Sequence, residues 1–141
     1  MNLPDSISTI REFNRLYTKY LGVFDRKIFS TELAWSEARI LLEIYLNSLE
    51  TLTDVAKFLG VDKAYISRII KKFKDKGLVE AKRDSKDKRK YLIEITPTGL
   101  ELVETINLES NKQIFDLFED MSEHDIALTL NAMDVISKKL R

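Results

Sequence analysis

The chain has 141 residues, of which 44% are apolar and 33% charged, with no cysteine and a formal net charge of zero. That length is enough for one domain with its own core, the apolar share excludes a disordered chain, and the lack of cysteine excludes disulfides, thiolate metal sites and cysteine redox sensing within it. The start has no basic stretch before an apolar run, being broken by Asp5, Arg11 and Glu12, and no apolar run reaches spanning length, so the expectation is a cytoplasmic protein.

The helical pattern begins at once. Ile7, Ile10, Phe13, Tyr17, Tyr20, Leu21 and Phe24 follow three-and-four spacing, which predicts an amphipathic helix capped at Asp5 or Ser6. A second helix is expected after Trp35, with Ser36 as N-cap, Glu37 in the dipole-favoured first turn, and a stripe of Ala38, Leu41, Leu42 and Tyr45 ending at Asn47-Ser48. Thr51 to Asp54 has the form of a capping box and opens a short third helix with Leu52, Val55, Ala56 and Leu59 inward. Gly60 stops it, as a left-handed residue past a helix end does.

A fourth helix follows within a few residues, from Asp62 or Lys63. Ile66, Ile69, Ile70 and Phe73 share one face, and Gly77 ends it. Lys63, Tyr65, Arg68, Lys71 and Lys72 lie opposite. The period then changes. Leu78–Ala81 and Tyr91–Ile95 have strand character, and the nine residues 82–90 between them hold six basic and two acidic side chains, a hairpin with a charged tip. Thr96 caps a fifth helix with Pro97 at its first position and apolar residues at Leu100, Val103, Ile106, Ile114, Leu117 and Phe118. Ser122 restarts a last helix striped by Ile126, Leu130, Met133, Ile136 and Leu140. The expected fold is mainly α with a small β-hairpin wing, in the order α-α-α-α-β-β-α-α.

Zero net charge hides an uneven distribution. Residues 51–97 carry 13 Lys/Arg against 7 Asp/Glu, whereas residues 1–50 carry 6 against 7 and residues 98–141 carry 4 against 9. A localised basic segment, rather than the total charge, is the electrostatic footprint of phosphate binding. A basic, solvated face without a partner would look the same on charge alone. The order of elements decides in favour of nucleic acid: two short helices joined by a tight glycine turn form a helix-turn-helix. The second has one face anchored in the core and the other polar and basic, which suits the major groove. The basic tip of the hairpin suits the minor groove and the backbone.

Leu59-Gly60-Val61-Asp62-Lys63-Ala64-Tyr65-Ile66-Ser67-Arg68-Ile69-Ile70, with Lys76-Gly77-Leu78-Val79, resembles the helix-turn-helix of MarR-type regulators. Arg83-Asp84-Ser85-Lys86-Asp87-Lys88-Arg89-Lys90 and Ile95-Thr96-Pro97-Thr98-Gly99 are similar to that family's wing signature, an Asp-x-Arg at the tip followed by Leu/Ile-Thr-x-x-Gly. Ser36-Glu37-Ala38-Arg39-Ile40-Leu41 resembles the start of the family's second helix. The likeness covers the chain in order and length. It implies a single MarR-like domain over 1–141, a homodimer on a pseudo-palindromic double-stranded DNA operator, with a DNA-binding lobe at 34–97 and dimerisation helices at 5–30 and 98–141. It also implies that Asp87 braces Arg89, that Arg89 enters the minor groove, and that Lys63, Ala64, Tyr65, Ser67 and Arg68 face bases and phosphates. Arg68 could instead be structural. Lys71, Lys72, Arg83, Lys86 and Lys88 complete the expected DNA surface.

Family members often bind small phenolic molecules, and Phe13, Tyr17, Phe24, Trp35 and Tyr45 could line such a pocket, although aromatics at helical spacing are more often plain core. No cofactor is expected. His124 is the sole histidine, and no metal-ligand spacing, phosphate loop or nucleophile–base pair is present, so no enzyme is expected. Two alternatives stand beside the repressor-type reading: a staphylococcal accessory-regulator (SarA-like) protein without ligand, and a winged-helix module whose wing binds an acidic protein.

Overall fold

The computed structural model describes residues 3–141. Its elements are α1 (Leu3–Leu21), α2 (Trp35–Leu46), α3 (Leu52–Leu59), α4 (Lys63–Asp75), β1 (Val79–Arg83), β2 (Tyr91–Ile95), α5 (Pro97–Phe118) and α6 (Glu123–Leu140). This is the expected order. No described helix is long and apolar enough to cross a membrane. The chain forms two compact units, one ending at Asn107 and the other Leu108–Arg141.

The first unit owns the core. Val55 and Ala56 of α3, Ile66, Ile70 and Phe73 of α4, and Ala38, Ile40, Leu41 and Ile44 of α2 bury together. Ile28 and Leu33 from the α1–α2 connection join them, as do Val103 and Ile106 of α5. Fully burying aliphatic and aromatic side chains of this size contributes about 1.5–3 kcal/mol each, so this cluster holds the lobe together.

The helix ends follow from local chemistry. Thr51 Oγ1 accepts the Asp54 N–H at 3.0 Å, and Asp62 Oδ1 accepts the Ala64 N–H at 3.1 Å. The α4 C-terminus closes with two bonds typical of a left-handed cap: Gly77 N–H to Lys74 O at 2.9 Å and Leu78 N–H to Phe73 O at 2.9 Å. Gly77 itself has φ +73°, where a side chain would be strained.

Several boundaries differ from the sequence expectation. α1 begins at Leu3, ahead of Asp5 and Ser6, and ends before Phe24, which is 86% exposed in the following loop. The N-cap of α2 is Ala34, not Ser36; the cap's amide is satisfied from within the helix by Glu37, whose Oε1 accepts the Ala34 N–H at 2.9 Å. The inward stripe of α2 runs through Ile40 and Ile44, leaving Tyr45 exposed. β1 starts one residue later and runs two residues further than the sequence suggested, to Arg83, because its pairing with β2 continues to Arg83↔Tyr91.

Between α1 and α2 the chain makes a tight turn at Phe29 and Ser30, with φ +53° and +56°. Thr31 N–H bonds Ile28 O at 3.0 Å, and Ile28 N–H bonds Leu33 O at 2.9 Å. Two non-glycine residues in that region cost about 1–3 kcal/mol each. Burial of Ile28, Thr31 and Leu33 on either side holds them there.

In the second unit Leu117, Phe118, Met121, Ile126 and Met133 are half-buried, and α6 begins at Ser122, whose Oγ accepts the Asp125 N–H at 3.1 Å. No residue of α6 is buried, and none of α1 is.

Candidate nucleic-acid interface

The interface begins with the rigidity of α4. Capped by Asp62 and closed by Gly77, with Ile66, Ile70 and Phe73 at 2% exposure or less, the helix has one face fixed in the core. The spacing that buries those residues turns Lys63, Ala64, Ser67, Arg68 and Lys71 outward, and all five are exposed. Tyr65 lies on the flank. It is half-buried against the core, and the Arg68 guanidinium sits 6.0 Å from its ring centroid, an attraction between cation and π-face. The structure thus gives Arg68 a structural neighbour while leaving it at the surface.

The wing is positioned by a latch at its base. Thr96 N–H bonds Leu78 O at 3.0 Å, and Thr96 Oγ1 donates to Gly77 O at 2.6 Å while accepting the Gly99 N–H at 3.0 Å. One threonine therefore caps α5 and holds the return strand to the end of α4. Gly99 is required for the same contact: a Cβ there would lie 1.9 Å from Leu78 O. The Thr-x-x-Gly pattern has a steric reason, which periodicity could not supply. Farther out, Ile93 N–H bonds Glu50 O at 2.6 Å, tying β2 to the segment entering α3.

The two acidic residues of the basic tip shape it. Asp84 Oδ1 accepts the Lys86 N–H at 3.0 Å, and Asp87 Oδ1 accepts the Arg89 N–H at 3.0 Å, each turning the chain two residues on. Asp87 Oδ1 also accepts from Arg89 Nε at 3.2 Å, so the expected brace is present. These bonds from Arg89, backbone first and side chain second, hold the Asp87 carboxyl below the usual aspartate range. Arg89 remains 91% exposed while paired. Lys86 and Lys88 are exposed beside it. Arg83 is engaged across the hairpin, donating to Tyr91 Oη at 2.7 Å.

A cavity of about 430 Å³ opens between the start of α3, α4 and the wing, with Lys63, Lys74, Arg89 and Lys90 among its lining. The groove continues the same basic surface. Among the expected DNA residues, Lys72 is half-exposed and its ammonium pairs with Glu37 Oε2 at 2.5 Å, against α2. Glu37 is only 6% exposed and was not singled out as a site residue; its signal was phase, since positions 37, 40, 41 and 44 share the buried face of α2. Burial opposes its ionisation, but the bonds from Lys72 and from the Ala34 N–H outweigh this and hold its pKa below the usual glutamate value.

The five aromatics expected at a ligand pocket do not line this cavity. Phe13 stacks on Tyr17 at 5.4 Å on α1, Trp35 packs on the core beneath the Arg39 guanidinium, and Phe24 and Tyr45 are exposed. Among the described residues no group of His, Cys, Asp and Glu could hold a metal.

The model of the MarR family matches residues 32–90, the winged segment just described. An HTH-type transcriptional regulator of Bacillus subtilis (strain 168) is 23% identical over 103 residues, 73% of this chain and 63% of the relative, so the match spans less than two thirds of that protein. A MarR protein from Peptoclostridium difficile superposes with a TM-score of 0.78 at 27% identity, covering 94% of this chain and 86% of that one. A Staphylococcus aureus MarR solved in complex with salicylate and kanamycin has the same fold, with a TM-score of 0.79 at 22% identity over 96% of this chain and 91% of that one.

Proposed function

We propose that the chain is a DNA-binding transcription regulator of the MarR family and that it binds a pseudo-palindromic operator as a homodimer, a reading supported by the family-model match and the similar regulators described above. The observation that carries the reading is the exposed row of Lys63, Ser67, Arg68 and Lys71 on a helix fixed at both ends, beside a braced basic wing. In this reading the row enters the major groove and Arg89 the minor groove, while backbone contacts set the register. A module for an acidic protein would need only one of these two surfaces.

Residues 34–97, with the first turns of α5, form the DNA-binding lobe, and α1 and the second unit join two copies. Support comes from exposed apolar side chains: Ile10, Phe13 and Leu16 on α1, and Leu108, Phe115 and Leu128 in the second unit, are each 47–72% exposed. Apolar surface of this extent marks an interaction site, and a two-fold pair presents its recognition helices about 34 Å apart, one turn of DNA. A small phenolic or other aromatic acid as effector is supported by the complex of the staphylococcal protein with salicylate.

The test is selection of duplexes from a random pool, followed by fluorescence anisotropy on the selected and a scrambled duplex at several salt concentrations. The expected preference is about 10³-fold or more, weakening steeply with salt. Arg89→Ala should weaken both complexes and reduce the salt slope by about one. Equal, weak affinity for both duplexes would remove the reading. A salicylate titration of the wild-type melt and of operator affinity tests the effector; no change in either removes it.

A further inference from the structure

The lobe contains one buried carboxylate whose position the DNA-binding reading does not explain. Glu37 and Thr31 are the buried polar residues among those described, and each Glu37 oxygen has its own partner. Oε1 takes the cap amide of α2 and Oε2 takes the ammonium of Lys72 on α4. Lys76, one turn further along, adds a second positive charge near the carboxylate. The α1–α2 connection, with its strained turn at Phe29 and Ser30, ends directly at this cap.

Apolar burial is non-directional. Ile66, Ile70 and Phe73 keep α4 against the lobe, but a small roll about its axis would exchange one apolar contact for another. A charge-assisted bond is short and directional. Lys72 stands on the flank of α4 between the buried stripe and the exposed row, so fixing it sets the direction of Lys63, Ser67, Arg68 and Lys71. We infer that Glu37 is a positioning residue for DNA recognition, a clamp from the N-cap of α2 to the flank of α4 that sets the roll of the recognition helix. The clamp rests on the DNA-binding reading above. It assigns Lys72 to this pairing rather than to phosphate.

The sign of the effect distinguishes the clamp from simple electrostatics. Glu37→Gln keeps the shape of the side chain and its acceptor for the Ala34 amide. It removes a negative charge from a DNA-binding lobe and frees Lys72, and both changes taken alone strengthen binding to any duplex. The clamp predicts the reverse for the selected sequence. Operator affinity falls about tenfold, the scale of one mismatched base pair, while affinity for the scrambled duplex holds or rises. Lys72→Met gives a similar loss of discrimination, and Lys72→Arg, which keeps a cation that the carboxylate can hold, restores most of it.

The measurement is anisotropy on the selected and scrambled duplexes with wild type, Glu37→Gln, Lys72→Met and Lys72→Arg, well below the melting temperature of each by circular dichroism. Loss of discrimination in the first two variants with rescue in the third supports the clamp. Equal gains on both duplexes in Glu37→Gln, or equal losses on both, overturn it, the first leaving Glu37 a mere repulsive charge and the second a mere stabiliser. A lower salt slope in Lys72→Met with discrimination intact also overturns it, since Lys72 would then be a phosphate contact. Wild type that shows no preference removes the regulator reading itself, and the clamp falls with it.

Discussion

In the winged lobe the stripes of α3 and α4 that the sequence marks as inward are covered: Val55, Ile66 and Phe73 are all at 0% exposure. The stripes of α1 and α6 have the same spacing, yet neither helix contains a buried residue. Periodicity therefore identifies which residues share a face but not what covers that face. In the lobe the cover lies a few residues away along the chain, joined by the tight turns at Gly60 and Gly77. For the terminal helices, the cover proposed above is a second copy of the chain.

The largest expected effect breaks this comparison at its core. Phe73→Ala should cost about 3–5 kcal/mol by urea unfolding, because the helix loses its largest buried side chain. Phe115→Glu, at a residue 72% exposed, should instead leave the lobe's circular dichroism intact while the mass by light scattering falls from two chains to one. If Phe115→Glu unfolds the lobe, or leaves the mass unchanged, the contrast between the two regions fails.

A smaller effect sharpens the account at the base of the wing. Gly99→Ala places a methyl against the Leu78 carbonyl, and overpacking of this kind costs about 1–3 kcal/mol. The thermal melt should fall, and DNA affinity should fall with it because the latch moves. An unchanged melt would mean that the contact between α5 and the end of α4 is loose.

The smallest effect is a pH dependence. Glu37 is held below the usual glutamate pKa in the folded chain. Its pairing therefore stabilises fully above the unfolded value of about 4.3 and is lost as pH falls through the lower folded value. Urea unfolding should show wild type more stable than Glu37→Gln by about 1–2 kcal/mol at neutral pH, with the gap closing in the acid range. A gap that widens as pH falls would reverse the assigned sign.

Much of the lobe was legible because its signals are local. Thr51, Asp62, Gly60 and Gly77 cap and stop helices through bonds to neighbours within a few residues; the Asp87–Arg89 brace, which spans two positions, was expected only from the family resemblance. What was not legible is pairing at a distance. The Glu37–Lys72 contact joins residues 35 positions apart on two helices, and it gives a half-exposed lysine of the expected DNA surface a partner within the lobe. The Ala34 cap was hidden because its amide is satisfied by a side chain three residues ahead, while Ser36 matched the usual cap chemistry. Phe13, Tyr17, Phe24, Trp35 and Tyr45 do not line the lobe's cavity, so residue class alone assigns them no role there.

The most direct test of the central claim is sedimentation equilibrium of the protein with a duplex selected from a random pool, beside a scrambled duplex of equal length. The account predicts two chains on each selected duplex and, at the same salt, little complex with the scrambled one. One chain per duplex, or equal binding to both, would contradict it.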